Sequence, residues 1–254
     1  MSRPARIALE LVIPVLVIAV WWWWSAGSES LYFPPLSEIL VEFWNVWIFA
    51  GTVEYLVPTL VTFAVGYSIA IVVGIAGGVL LASSAGLYRF FSPLLEFLRA
   101  LPAIAIVPAF ISALGIDMTM RISVVAFASV WPVLLNTIDG VRGIDGTVRD
   151  TTAVFRVNSL QQLMRVTLPG ASPQIFAGVR VGLALSLIVV IVTEMVVSAE
   201  GVGAFARSAQ YSFDLPGMWT AILLMGVVGY LLNKSFDYLE RRVLKWHLGM
   251  RGRK

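Results

Sequence analysis

Three places in the chain set ionisable side chains inside long apolar stretches, and their chemistry has to be accounted for first. Glu96 and Arg99 stand three apart in FSPLLEFLRALP, a spacing that puts both on one helix face and lets them pair. Glu194 follows Thr193 in IVVIVTEMVV and has no partner nearby in sequence. Lys234 and Asp237 are again three apart, in LLNKSFDYLE. A charge at the centre of a membrane helix costs about 2.5–3.5 kcal/mol on insertion scales, so each such group is either neutralised or used. Mutual neutralisation near an interface is expected for the two pairs. For Glu194, a buried hydrogen bond and the lining of a solute path are both open. Glu96, Arg99, Pro102, Thr193 and Glu194 are therefore the candidates for a translocation pathway.

Catalysis has no residues to stand on. The chain has no cysteine, which excludes thiol chemistry, disulfides and cysteine metal sites. Its single histidine, His247, lies in a basic tail, so no metal site is expected. There is no G-x-x-x-x-G-K-[ST], so ATP cannot be held by a P-loop, and neither H-E-x-x-H nor G-x-S-x-G occurs. No enzyme activity and no cofactor bound by this chain are expected. A net charge of +3 is no nucleic-acid footprint in a chain of this kind, where basic residues report topology first, and no nucleic-acid partner is expected.

The elements that must carry these groups are membrane helices. The 254 residues are 59% hydrophobic and only 13% charged, half the charge of soluble domains. The expected fold is all-α, a polytopic bundle in membrane lipid formed by a single domain over 1–254. Six spans are expected, near 7–25, 56–82, 91–114, 121–137, 176–197 and 217–239. The run from Ile7 to Trp24 follows Arg3 and Arg6 but lacks a small-residue cleavage site, and reads as an uncleaved first span ending in the interfacial anchor Trp21–Trp24. With the amino terminus inside, 14 of the 18 basic residues face the cytoplasm, only Arg121 and Arg207 fall outside, and both termini are cytoplasmic. Residues 26–55 then form an external amphipathic segment without lysine or arginine, with Ser37 as a helix cap after Pro34-Pro35.

Gly74 and Gly78 form a G-x-x-x-G pair suited to close helix packing. Pro102 and Pro108 predict a kinked third span beside a water-filled cavity. The chain shows no internal repeat of the kind many carriers have.

The largest polar interruption in the second half is 138–180, with five arginines and three aspartates. Its residues 147–167 predict two short helices with Val154, Phe155, Leu160, Leu163 and Met164 as apolar faces. They are broken at Val157-Asn158-Ser159, where Asn158 suits a left-handed turn and Ser159 a cap. Leu168-Pro169 is expected to stop the second helix. A hairpin closed on itself is one reading; a surface that needs a partner is the other.

Here the chain resembles the permease subunits of bacterial type I ABC importers. Their cytoplasmic motif is Glu-Ala-Ala, three residues, Gly, nine residues, Ile, one residue, Leu-Pro. Placing Leu168-Pro169 on Leu-Pro puts Val166 at Ile, Arg156 at Gly and Asp150-Thr151-Thr152 at Glu-Ala-Ala. Asp150 and Val166 are conservative replacements, whereas Arg156 is expected to allow neither the tight approach nor the unusual backbone angle of glycine. The stretches FPPLSEIL, LRALPAIAIVPAFISALGI, TLPGASPQIFAGVRVGLALSLIVVIVTEMVVSAEGVGAFARSAQYSFDLPGMWTAILLM and LERRVLKWH look like the branch that imports nitrate, sulfonates, taurine and bicarbonate.

The resemblance implies a multi-pass protein of the bacterial inner membrane that forms the path for a small solute by alternating access. It also implies two ATPase subunits carrying ATP and Mg, a second permease copy (the same or a different chain) and an external solute-binding protein. The ATPase-coupling residues would be Asp150, Phe155, Arg156, Val157, Asn158, Ser159, Leu160 and Gln161, within a coupling loop over 138–180. On the residues alone, an ATP-independent carrier or channel with a self-contained hairpin stays open.

Overall fold

A computed structural model describes residues 3–48 and 51–245; the side chains of residues 3–11, 14, 149, 150 and 153 lie outside that description, as does His247. Among the described residues every regular element is a helix: α1 (Arg3–Ser25), α2 (Leu36–Trp47), α3 (Val57–Ala82), α4 (Ala85–Ala100), α5 (Val107–Leu114), α6 (Met118–Arg142), α7 (Gly146–Val154), α8 (Ser159–Gln162), α9 (Leu168–Val197), α10 (Val202–Tyr211) and α11 (Leu215–Val243). Two π turns, Thr52–Leu56 and Leu163–Thr167, lead into α3 and α9.

Among the described residues, four continuous stretches are long and apolar enough to cross a membrane: Thr52–Ala82, Met118–Arg142, Ser159–Val197 and Leu215–Val243. The apolar Val15–Ser25 of α1 adds a fifth, shorter helix. The stretch expected as one kinked span over 91–114 is instead two helices, α4 and α5. Leu101 adopts an extended backbone (φ −68°, ψ 123°) because the residue before a proline is pushed out of the helical region, and α4 ends there. Pro108 sits in the first turn of α5, where its missing N–H costs nothing. α4 also begins earlier than expected, since Ser84 accepts a hydrogen bond from the Leu87 N–H (3.3 Å) and caps it.

Leu168-Pro169 does not stop a helix. The helix runs through it from Ser159 to Val197, 39 residues. The preceding π turn, in which the Leu168 N–H reaches back to the Leu163 carbonyl, displaces the carbonyl that a proline ring would strike in a regular α-helix. Pro58 follows the other π turn in the same way, behind a Val57 N–H bonded to the Thr52 carbonyl. Ser37 is not a cap either. α2 starts at Leu36, whose N–H is met by the Ser25 hydroxyl at 3.1 Å, so Ser37 lies inside the first turn.

The spine is α6 packed between α3 and α9. As expected of a G-x-x-x-G seam, a Cβ added at Gly74 would stand 2.8 Å from the Val133 Cβ, and one at Gly78 would stand 2.6 Å from the Thr137 Cβ. α3 and α9 are tied directly by the Tyr67 hydroxyl, which donates to the Val179 carbonyl at 2.6 Å. A second cluster joins α2 to α10 and α11: Trp47 packs edge-on to Phe205 and donates its indole N–H to the Thr220 hydroxyl at 2.9 Å. Part of the 26–55 segment is thus docked on the bundle.

The seam makes a stability prediction. Gly78→Ala should destabilise the chain by about 1–3 kcal/mol, the usual range for overpacking, and lower its thermal midpoint in detergent. Gly226→Ala, where nothing stands within 4 Å, should not.

Candidate functional site

Asp145 opens α7: its carboxylate accepts the Thr147 N–H at 2.8 Å, and that bond holds the carboxyl below its ordinary range. α7 closes with the Phe155 N–H on the Thr151 carbonyl and the Val157 N–H on the Thr152 carbonyl, both 3.1 Å. The second of these reaches back five residues, as in a Schellman end, and the residue before its donor must be left-handed. That residue is Arg156, at φ +50°. Arg156 therefore does adopt the backbone angle that glycine supplies in the resembled motif, at a cost of about 1–2 kcal/mol for a residue bearing a Cβ. Asn158 is not the left-handed residue. It is extended (φ −68°, ψ 155°), and its side chain caps α8 by accepting the Gln161 N–H at 2.7 Å; Ser159 and Gln161 form the first turn.

The two elements do not close on themselves. Val154 and Phe155 are 78% and 75% exposed, and Leu160 and Met164 are exposed on the same excursion, whereas Val157 is half-buried. Water is a poor partner for such a surface. Asp150 lies in α7, with its side chain outside the described residues.

The pathway candidates fall in two places. Glu96 and Arg99 are exposed on α4 and Pro102 is exposed in the break after it. Neighbouring Leu95 packs on Leu81, Leu134 and Ile138, toward the end of the bundle that carries α7 and α8. No ion pair joins Glu96 to Arg99 among the described residues. Thr193 and Glu194 are buried at the opposite end, about 33 Å away by the rise of α3 between Thr59 and Leu81. Lys234 and Asp237 do not pair. Asp237 takes Arg180 of α9 at 2.5 Å, Glu240 also contacts Arg180, and the Lys234 ammonium lies 5.6 Å from the Tyr230 ring.

Glu194 has partners after all, from elsewhere in the chain. Its carboxylate, with no exposure, accepts from the Thr59 hydroxyl of α3 (2.9 Å) and the Gly203 N–H of α10 (3.0 Å). Thr59 in turn accepts the Val202 N–H at 2.9 Å. Gly201, at φ +102°, brings the chain past the carboxylate so closely that a Cβ there would stand 2.3 Å from the Glu194 Cδ. Two arginines finish the junction. Arg207 donates to the Met195 and Ser198 carbonyls (3.0 and 2.7 Å), satisfying the C-terminal end of α9, where a cation is favoured. Buried Arg121 of α6 donates to the Ser198 hydroxyl at 2.8 Å and lies 3.6 Å from the Glu200 carboxylate. Thr193 donates to the Val189 carbonyl within α9.

Thr59, Arg121, Glu200, Gly203 and Arg207 were missed as partners. A signal existed for two of them, because Arg121 and Arg207 are the two exceptions to the positive-inside pattern.

Residues 70–245 match the family described as binding-protein-dependent transport system inner membrane component. The chain is 33% identical over 181 residues to the nitrate import permease protein NrtB of Synechocystis sp., covering 71% of this chain and 66% of that one. It is 29% identical over 244 residues to the putative aliphatic sulfonates transport permease protein SsuC of Bacillus subtilis, covering 95% and 88%. It is 34% identical over 190 residues to the bicarbonate transport system permease protein CmpB of Synechococcus elongatus, covering 74% and 68%. In fold it is similar to a chain of the inward-facing MetNI methionine ABC transporter, with a TM-score of 0.64 at 21% identity over 73% of this chain and 93% of that chain.

The junction predicts a graded response to substitution. Glu194→Ala strands the buried Gly203 N–H and should cost about 1–3 kcal/mol. Glu194→Gln, whose amide can still accept from Gly203 and bond Thr59, should cost clearly less. Thermal unfolding of the two variants side by side checks the order.

Proposed function

This chain belongs to the binding-protein-dependent transport system inner membrane components, the permease subunits of ABC importers, and from that premise we propose a specific division of labour between its two ends. The protein is a multi-pass inner-membrane transport subunit and not an enzyme; the family works with ATPase and solute-binding partners. In our reading both termini and the 138–180 loop are cytoplasmic, and the 26–55 segment is external. Two copies of the chain form the path and two ATPases, carrying ATP and Mg, bind below. A different second permease would make the assembly a heterodimer.

The observation that carries this reading is the surface around Arg156. A rigid turn presents Phe155 and Leu160 to solvent, and it keeps an arginine at φ +50° where glycine would be free of strain. An exposed apolar element held at backbone cost fits a groove on another subunit, where the Arg156 guanidinium can reach an acid. Closure of the ATPases is then passed through α8 and the π turn into α9, and alternating access follows from rocking of the spans.

For the solute, the names of the relatives support a small anion of the nitrate, sulfonate or bicarbonate kind. Arg99, exposed and without an ion pair to Glu96, is the pathway residue whose charge suits it. Glu96 and Pro102 share its part of the bundle. Glu194 contributes from inside the subunit, by holding α10, and buried Thr193 stands beside it with its hydroxyl on its own helix.

Affinity purification of the chain from its own host tests the assembly. An ATPase should accompany it, and the mass of the complex should account for two copies of each. Phe155→Asp with Leu160→Asp should abolish ATPase recovery while the permease stays in the membrane. Arg156→Gly should raise the thermal midpoint of the isolated permease and weaken ATPase recovery. A permease that never brings down an ATPase would leave the ATP-independent reading standing.

A further inference from the structure

We propose that the turn closing α10, with Phe213 at its tip and Tyr211 beside it, is a rigid contact point for the external solute-binding protein. This rests on the two-ended reading above, in which the α10 end of the bundle faces outward.

Phe213 has φ +59°, a conformation foreign to a bulky side chain. Its setting explains the angle. The Asp214 N–H bonds the Ala209 carbonyl at 2.9 Å and the Phe213 N–H bonds that of Gln210 at 3.3 Å, so α10 ends as α7 does, with a left-handed residue where glycine is usual. Glycine would serve the backbone better at this position. What the phenylalanine adds is a ring, and the ring is 64% exposed, next to a Tyr211 that is 78% exposed. A disfavoured angle kept for an exposed aromatic points to a contact made outside the chain.

The turn is also tied on both sides by hydrogen bonds. Asp214 caps α11 by accepting the Gly217 N–H at 3.0 Å, fixing the far side of the turn. On the near side α10 is fastened through Gly203 to Glu194, through Val202 to Thr59, and through Arg207 to the end of α9. The same turn borders, through Ser212 and Asp214, a groove of about 220 Å³ whose lining includes Tyr55, Phe205 and Ser208.

Two exposed aromatics on a turn whose neighbouring Ser212 and Asp214 border a groove have the make-up of a protein contact with little ordering left to do on binding. A lipid headgroup would need neither the fixed angle nor the groove. The family depends on a binding protein, and that protein is the partner this end must meet.

The test uses the permease–ATPase complex in nanodiscs, titrated with the purified, solute-loaded binding protein of the same importer while ATP hydrolysis is followed. Phe213→Gly should keep its ATPase subunits, its basal hydrolysis and a thermal midpoint no lower than the parent's. The binding-protein concentration for half-maximal stimulation should rise at least tenfold, with the maximal rate retained. Tyr211→Ala, which leaves the backbone alone, should shift the same quantity in the same direction.

An unchanged half-maximal concentration in both variants overturns the proposal. So does a change in the mass of the complex, which would assign the turn to the second permease, or a lowered thermal midpoint, which would make the ring structural. If the parent complex recruits no ATPase, the reading beneath fails first, and that is seen before any titration.

Discussion

The enclosed carboxylate of Glu194 is the constraint on which the arrangement at one end of the bundle depends. A buried carboxylate must have its acceptors filled, and the donors it finds belong to α3 and α10 rather than to its own helix. Thr59 serves twice, donating to Glu194 while accepting from the backbone of Val202. Three helices thus meet on two side chains. The chain from the end of α9 into the first turn of α10 can pass them only because Gly201 and Gly203 have no Cβ. Arg121 and Arg207 complete the junction by satisfying the carbonyls and the hydroxyl that the end of α9 leaves open.

The other end is built on the opposite principle. α7, α8 and the π turn at Leu163–Thr167 leave Val154, Phe155, Leu160 and Met164 in solvent and hold their shape by caps: Asp145 on α7, Asn158 on α8, and a left-handed Arg156 between them. Between the two ends run α3, α6 and α9, pressed together through glycines to a distance that tolerates little relative sliding. A tight spine with one tied end and one exposed end is suited to carrying a displacement from a partner on one side of a membrane to the other.

Much of this was legible in sequence where a single physical rule decided it. Apolar runs near 56–82 and 217–239 became helices because lipid leaves the backbone no other way to satisfy itself, and Gly74 with Gly78 became a seam because only glycine allows that approach. Prolines were harder. Pro102 broke its helix and Pro169, behind a π turn, did not, while Pro93 and Pro132 sit inside α4 and α6 with no π turn before them, and composition announces none of this. The motif spacing singled out Arg156, which the structure places in a left-handed turn. It misjudged what arginine would do there, because the αL penalty is small enough for the rest of the turn to override. Thr59 as a partner of Glu194 was invisible, since it lies 135 residues earlier and reaches it only after folding.

The central claim is that the α7–α8 turn faces the cytoplasm and is covered there by an ATPase. The chain has no cysteine, so Leu160→Cys gives one reactive thiol. The most direct measurement is its labelling by a membrane-impermeant maleimide in vesicles of each orientation, with and without the ATPase subunits. The account predicts labelling in inside-out vesicles only, and protection when the ATPase is bound. Labelling from the outer side, or equal labelling with and without the ATPase, would contradict it.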